Sequence, residues 1–276
     1  MRTLIILLAL ACAAAIGGGA ALYFGSYNVA ATEEHFRATY WLLEAGMRQS
    51  IRQRAENIAV PALDEPALVQ QGLHVYRTHC AQCHGAPGAA PEPFALGMMP
   101  APANLAYTAR EWPPTELYWV IRHGIRMTGM PAWEFRLTDT ELWAVVAFLR
   151  KLPAVSPQEY RTLTAQLPPA SAPTPAPASE MSAAPDPKRG KAAIHQYACG
   201  TCHEIPGLTA AITPVGPPLT AMAKRKYIAG VLPNTPENMI RWLRAPQKIN
   251  PRTAMPDLYV TQPDARDMAA YLYTLE

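Results

Sequence analysis

The chain has 276 residues, of which 50% are apolar, so it is long enough for two domains and disorder is excluded as its overall state. Only 16% of the residues are charged, against roughly 25% in average soluble domains. The formal net charge of +3 is too small to indicate nucleic acid binding. The 5 cysteines are an odd number, which excludes a framework built from disulfides alone.

Residues 1–25 are predicted to form a transmembrane anchor. No charge occurs from Leu4 to Phe24, and this stretch is long enough to cross a hydrocarbon layer of ~30 Å. A cleaved export signal is one alternative to the retained anchor. A lipoprotein that is cleaved and modified at Cys12 is another. By the positive-inside rule, Arg2 stays in the cytoplasm. We therefore expect a single-pass protein of the bacterial inner membrane, with everything after the anchor in the periplasm.

Residues 26–65 are predicted to contain an amphipathic helix followed by a connector. Apolar residues recur three or four positions apart within 33–57, as on one face of a helix. They are Phe36, Tyr40, Leu43, Met47 and Ile51. Such a face lies on the membrane surface, docks on a partner or packs against the domain that follows.

Residues 153–187 are rich in proline and alanine. Their centre alternates Pro, Ala and Ser and has nothing to bury, which is typical of a semi-extended spacer. The spacer divides the rest of the chain into two domains, 66–152 and 188–276. It would let the second domain swing between partners while the anchor keeps its local concentration high.

Each domain carries one C-x-x-C-H sequence, the signature for covalent attachment of a c-type haem. The residues are Cys80, Cys83 and His84 in the first domain and Cys199, Cys202 and His203 in the second. The two sulfurs would bond the vinyl groups of the porphyrin, and the histidine would ligate its iron. A zinc site or a redox-active cysteine pair is the alternative. Zinc would need ligands shared between the two halves across the linker, and a redox pair gives no reason for a following histidine in both motifs. We predict two covalently bound haem c groups.

A six-coordinate haem needs a second axial ligand, and each domain offers a Met-Pro pair downstream of its motif. Met130 and Met255 follow the two histidines at similar distances. They are therefore predicted to complete the iron ligands with His84 and His203. Alternatives in the first domain are Met99, His74 and His123.

The sequence around each motif predicts a small helical wrap. Short helices lead into the cysteines, a middle helix follows, and a last helix comes after the methionine. In the first domain the first two helices are predicted at 66–79 and about 115–123, and a capping box at Thr138 to Glu141 starts the last one. In the second domain they are predicted at 188–198 and about 236–244, and a weaker cap at Thr261 to Asp264 starts the last one. Gly72 and Gly190 occupy matching positions and are predicted to allow close helix packing.

Each half resembles a class I cytochrome c domain. The resemblance implies an all-α fold of two tandem cytochrome c domains, joined by the Pro/Ala-rich linker and preceded by the transmembrane helix. In that family a proline carbonyl in a G-P-x-L segment orients the proximal histidine, which would add Pro217 to the haem-binding residues. The first half has 100–105, Pro-Ala-Pro-Ala-Asn-Leu, at that place, so the proline that faces His84 stays open. The second half is also similar to membrane-linked cytochromes of haem–copper oxidase systems.

Histidine and methionine on opposite faces leave the iron no open position for a substrate, which favours electron transfer over catalysis. The resemblance implies a membrane-anchored dihaem cytochrome that passes single electrons in a respiratory chain, to or within a terminal oxidase complex. An electron-accepting subunit of a periplasmic dehydrogenase is one alternative. A dihaem peroxidase is another, and it would need one five-coordinate haem.

The second domain carries more basic than acidic residues. We expect a basic face there that meets an acidic redox partner and speeds the encounter. The residues are Lys188, Arg189, Lys191, Lys224, Arg225 and Lys226.

Overall fold

The computed structural model describes residues 2–167, 184–208 and 215–276. These residues are mostly helical, which confirms the predicted fold class. In chain order the helices are α1 (Arg2–Tyr23), α2 (Arg37–Ala55), α3 (Pro66–Val75), α4 (Ala81–His84), α5 (Leu105–Glu111), α6 (Pro114–His123), α7 (Asp139–Lys151), α8 (Pro157–Ala165), α9 (Pro187–Gln196), α10 (Pro236–Arg244), α11 (Pro246–Ile249) and α12 (Gln262–Leu272). Two short antiparallel strands, β1 (Tyr227–Ile228) and β2 (Leu232–Pro233), form a hairpin before α10.

Helix α1 is a candidate membrane span. It is 22 residues long, and none of them is buried against the rest of the protein. Among the described residues it is the one helix that is long and apolar enough to cross a bilayer. The segment predicted as an anchor therefore forms a continuous helix whose apolar side chains are exposed, as expected for a helix that is buried in a bilayer.

The first domain is built on the crossing of α3 and α7. A Cβ on Gly72 would lie 1.8 Å from the carbonyl oxygen of Ala144, so only glycine permits the two backbones to approach this closely. Beside the crossing, the ring of Tyr76 packs on Phe148 with 5.2 Å between centroids. The predicted capping box at Thr138 is present and starts α7, whose residues from Glu141 to Leu149 are all buried.

The second domain repeats this arrangement with α9 and α12. A Cβ on Gly190 would lie 1.9 Å from the carbonyl oxygen of Asp267. Thr261 caps α12 by accepting a hydrogen bond from the backbone of Asp264. The matching glycines were predicted to allow close packing, and the structure confirms this for both helix pairs.

Helix α8 lies inside the range predicted as a spacer, so the prediction was wrong for the start of that range. Ser156 and Glu159 form a capping box, and Pro157 occupies the first helical position, where its missing N–H costs nothing. The ring of Tyr160 is 7% exposed and packs into the core of the first domain. The first domain therefore includes α8, and the centre of the predicted spacer, 168–183, lies outside the described residues.

Helix α2 divides into two halves with different surroundings. Near its end, Ile51 and Ala55 are buried against the first domain. Arg48 forms an ion pair with Glu116, with 3.3 Å between Nη1 and Oε2. Its guanidinium also stacks over Trp112, with Cζ 3.8 Å from the ring centroid. The first half of α2 keeps its apolar side chains exposed, including Tyr40 at 58%. Of the three predicted placements, packing against the next domain holds for the C-terminal half.

Candidate haem sites

The first C-x-x-C-H motif lies at the end of the helix that crosses α7. A π-helical turn, Tyr76–Cys80, continues α3 into the short helix α4, which ends at the motif histidine. The hydroxyl of Tyr76 donates to the carbonyl oxygen of Gly85 at 2.7 Å and closes the turn from inside. Cys80 packs against the apolar core of the first domain, and so does Met130. A cysteine and a methionine from distant parts of the sequence thus border one apolar volume.

A backbone carbonyl fixes the orientation of His84. Its Nδ1 lies 2.7 Å from the carbonyl oxygen of Ala103. A carbonyl oxygen only accepts hydrogen bonds, so Nδ1 carries the hydrogen and Nε2 keeps its lone pair for a metal. Burial lowers the pKa of His84, although the bond to Ala103 acts in the opposite direction. The acceptor is Ala103, so none of the prolines in 100–105 faces the Nδ1 of this histidine.

The second motif has the same arrangement around His203. Its Nδ1 lies 2.8 Å from the carbonyl oxygen of Pro217, the residue that the family resemblance points to. Gly216 is required beside it, because a Cβ there would lie 2.6 Å from Cε1 of the imidazole. Cys199 and Met255 both pack against the apolar core of the second domain.

The two methionines share a local turn that the sequence analysis did not identify. The backbone N–H of Met130 donates to Oγ1 of Thr128 at 3.1 Å. In the second domain, the N–H of Met255 donates to Oγ1 of Thr253 at 3.2 Å. The signal was present in the sequence, because both segments read T-x-M-P. The threonines therefore set the backbone that presents each thioether.

The alternative ligands of the first domain occupy other surroundings. Met99 is 43% exposed. His123 is exposed, with Nδ1 3.6 Å from a carboxylate oxygen of Glu134 and its ring beside Trp119. His74 lies on α3 upstream of the motif, and its buried Nδ1 has no hydrogen-bond partner among the described residues. Met99 is not part of the apolar core that Cys80 and Met130 border.

The first thiol of each motif lies in surroundings that disfavour its thiolate form. Desolvation by the surrounding side chains raises the pKa of Cys80 to about 12 and that of Cys199 to about 11. Zinc ligation and thiol exchange need the thiolate, which a lowered pKa favours. Within the described ranges, no three His, Cys, Asp or Glu side chains form a group that could hold a metal ion. Cys80 and Cys199 therefore favour the protonated thiol in the described structure.

The residues present fit a haem in each domain. Each site combines an apolar wall, a cysteine pair, a histidine whose Nε2 is free and a methionine on the same core. The carbonyl that holds each Nδ1–H is the kind of partner that orients a metal-bound histidine and raises its basicity.

The predicted basic face of the second domain is smaller than the sequence indicated. Arg189 is paired with Asp264 at 2.7 Å and with Asp267 at 3.1 Å. Arg225 donates to the carbonyl oxygens of Pro218 and Thr220. These two arginines serve the fold of the domain, because their guanidinium groups satisfy buried or backbone acceptors. The remaining residues of the predicted face are lysines.

Comparisons with known proteins give a match for each domain. Residues 67–149 match the family described as cytochrome c oxidase, cbb3-type, subunit III. Residues 187–276 match the family described as cytochrome c. A stretch of 91 residues is 33% identical to cytochrome c oxidase subunit 2 of Alkalihalophilus pseudofirmus. This aligned stretch covers 32% of the present chain and 25% of the relative. No solved structure gives a match.

Proposed function

Because the chain carries two cytochrome c domains, we propose that it is a membrane-anchored dihaem cytochrome c that passes single electrons along a respiratory chain. Cysteines 80 and 83 would hold one haem and cysteines 199 and 202 the other, each through two thioether bonds. The observation that carries the proposal is the same set of contacts in both domains. In each, the first cysteine and the methionine border one core, and a carbonyl holds the histidine.

The residues of each site would hold the haem and its iron ligands in place and shield the iron from other ligands. A haem supplies an iron that takes up and gives back one electron. His84 and His203 would bind through Nε2, while Ala103 and Pro217 keep the rings from turning. Met130 and Met255 would supply the second protein ligand of each iron, and a methionine ligand raises the reduction potential. An iron held by a histidine and a methionine in this way would have no position left for a substrate.

The partner is proposed to be a terminal oxidase complex. The first domain matches a subunit family of cbb3-type oxidases, and a separate oxidase subunit contains a similar segment. The matched segment covers about a quarter of that second protein, so the likeness concerns only a part of it. Helix α1 would keep the protein in the inner membrane, with its N-terminus in the cytoplasm and both haem domains in the periplasm.

The proposal is tested by purification of the full chain from gently solubilised membranes. We expect a haem–copper oxidase to copurify, and the intact N-terminal segment to be present in the mature protein. Copurification of a periplasmic dehydrogenase instead would assign the protein to an electron-accepting subunit. A mature chain that begins after residue 25 would contradict the anchor.

An enzymatic role makes a different prediction for ligand binding. A dihaem peroxidase needs a haem with an open position, whereas the proposed ligand sets are closed on both faces. Carbon monoxide should therefore leave the absorption spectrum of the reduced protein unchanged. A spectral shift on its addition would show an open iron and favour the peroxidase.

A further inference from the structure

Phe135 belongs to the first domain by its place in the chain, yet its ring is buried in the second. The residue is 4% exposed, and the core that covers it contains Ile194 and Tyr197. Buried aromatic side chains contribute large contact areas and dominate the energetics of interfaces. A phenyl ring in this position is therefore an anchor between the two domains.

The second domain presents a prepared surface to this ring. Arg189 lies with Cζ 4.7 Å from the ring centroid of Phe135. Its Nη2 is 2.7 Å from Asp264 and its Nε is 3.1 Å from Asp267. Because two carboxylates hold the guanidinium, little freedom is lost when the aromatic ring covers it.

The next residue adds contacts at the edge of the same surface. Arg136 donates from Nη2 to the carbonyl oxygen of Gln196 at 3.2 Å, and its Cζ lies 5.0 Å from the ring centroid of Tyr197. The single hydroxyl hydrogen of Tyr197 goes to Asp264 at 2.9 Å, so the buried carboxylate is satisfied within the second domain. The charged groups on this surface of the second domain therefore satisfy one another, and an aromatic side chain can cover them without leaving a charge unpaired.

Both sides of this contact adjoin the proposed haem ligands. Phe135 follows Met130 by five residues, and Tyr197 precedes Cys199 by two. The segment around Phe135 is fixed to its own domain, because the N–H of Trp133 donates to the carbonyl oxygen of Ile121 at 3.2 Å. The contact therefore joins the methionine segment of one domain to the attachment segment of the other.

We propose that Phe135 and Arg136 form a docking site whose partner is the second domain of the same chain, and that this docking holds the two haem-binding segments in one arrangement for direct electron exchange. The electron-exchange part rests on the proposed function. Exchange between the domains moves one electron and neither a proton nor a bond, so its rate depends on how the segments are held. The expected swinging of the second domain is then an excursion from this docked state.

The test uses the full-length haem-loaded protein and the variant Phe135→Ala. Without the ring, we expect amide hydrogen exchange in 189–202 to rise about tenfold or more, as for loss of an interface anchor. The radius of gyration measured by X-ray scattering should increase, and electron exchange between the domains after a limiting pulse of reductant should slow about tenfold or more. Tyr107→Ala is the matched control, because this ring is 66% exposed in the first domain and makes no part of the contact.

A second variant keeps the test decisive if Phe135→Ala fails to fold. Arg136→Glu alters an exposed side chain and places a carboxylate against the carbonyl oxygen of Gln196, so it should separate the domains without disturbing either core. Haem content of the unaltered protein tests the proposed function on its own. If both haems are present and neither variant changes amide exchange or the radius of gyration, the docking site is refuted.

Discussion

At the residue scale, each site is organised by backbone groups that leave little trace in the sequence. The carbonyl of Ala103 orients His84, and any residue at that position supplies a carbonyl. The sequence therefore led to the wrong expectation that a proline faces His84. Pro217 was predictable only through the family resemblance, because the G-P-x-L segment of that family is present in this sequence, and its carbonyl oxygen does lie 2.8 Å from Nδ1 of His203.

Met130→Ala should open one face of the first iron. We expect the far-red Fe–S(Met) band to lose the contribution of one haem of two, and the reduced variant to bind carbon monoxide. Met99→Ala serves as the control and should leave both properties as they are, because this side chain is 43% exposed. A spectrum that is unchanged in the Met130 variant would show that another residue is the ligand.

Thr128→Val removes one hydroxyl and little volume, so it tests the turn that presents Met130. The lost hydrogen bond from the methionine N–H, 3.1 Å in the native turn, should weaken methionine ligation by about 1 kcal/mol. In a thermal titration, the Fe–S(Met) band should disappear at a lower temperature than in the unaltered protein. Thr140→Val, on the exposed side of α7, is the control, and equal behaviour of both variants would contradict a role for the turn.

Gly190→Ala should destabilise the second domain, because the added Cβ would meet the carbonyl oxygen of Asp267 and force α9 away from α12. We expect a loss of about 1–3 kcal/mol in the free energy of unfolding, measured with denaturant on the haem-loaded protein. Gly46→Ala is the matched helix substitution with no atom within 4 Å of the new Cβ. It should be neutral or stabilise by up to about 1 kcal/mol. Equal losses in the two variants would mean that the helix crossing does not require glycine.

At the element scale, the capping signals predicted where helices begin, and proline content misled. The box at Thr138 to Glu141 starts α7 as expected, because both side chains have one obvious backbone partner. The same kind of box at Ser156 to Glu159 starts α8, but the prolines around it had been read as part of a spacer. Proline has opposite meanings at the first position of a helix and in a linker, and only the packing of Tyr160 decides between them.

The amphipathic pattern of α2 extends over more residues than its packing. A hydrophobic stripe indicates that one face of a helix is buried, but it does not identify the surface that buries it. The first domain buries only the part near Ile51. The buried carboxylate of Glu116 holds this part through Arg48 and Arg52.

Glu116→Ala should release α2 from the first domain, because it leaves Arg48 without its buried partner. Limited proteolysis and amide exchange in Arg37–Ala55 should increase, while haem content stays the same. Glu111→Ala removes an exposed carboxylate from the neighbouring helix α5 and should have no such effect. Unchanged protection of α2 in the Glu116 variant would show that apolar packing alone holds the helix.

At the scale of the whole molecule, the chain has a candidate membrane helix, two cytochrome c domains and a contact between them. The two units and their attachment motifs were predictable because each has a complete local signature. The burial of Phe135 in the second domain was not, since an aromatic residue shortly before a helix cap looks like core of its own domain. Long-range contacts of this kind depend on the surface of the other domain, which the sequence pattern of either one does not contain.

We propose that each of the two domains binds its own covalently attached, six-coordinate haem. The most direct measurement is the intact mass of the full-length protein, combined with its haem absorbance per chain and the response of the reduced form to carbon monoxide. We expect a mass increase of two haems that survives denaturation, and no spectral change on addition of carbon monoxide. A single haem per chain, haem lost on denaturation, or carbon monoxide binding by the unaltered protein would contradict it.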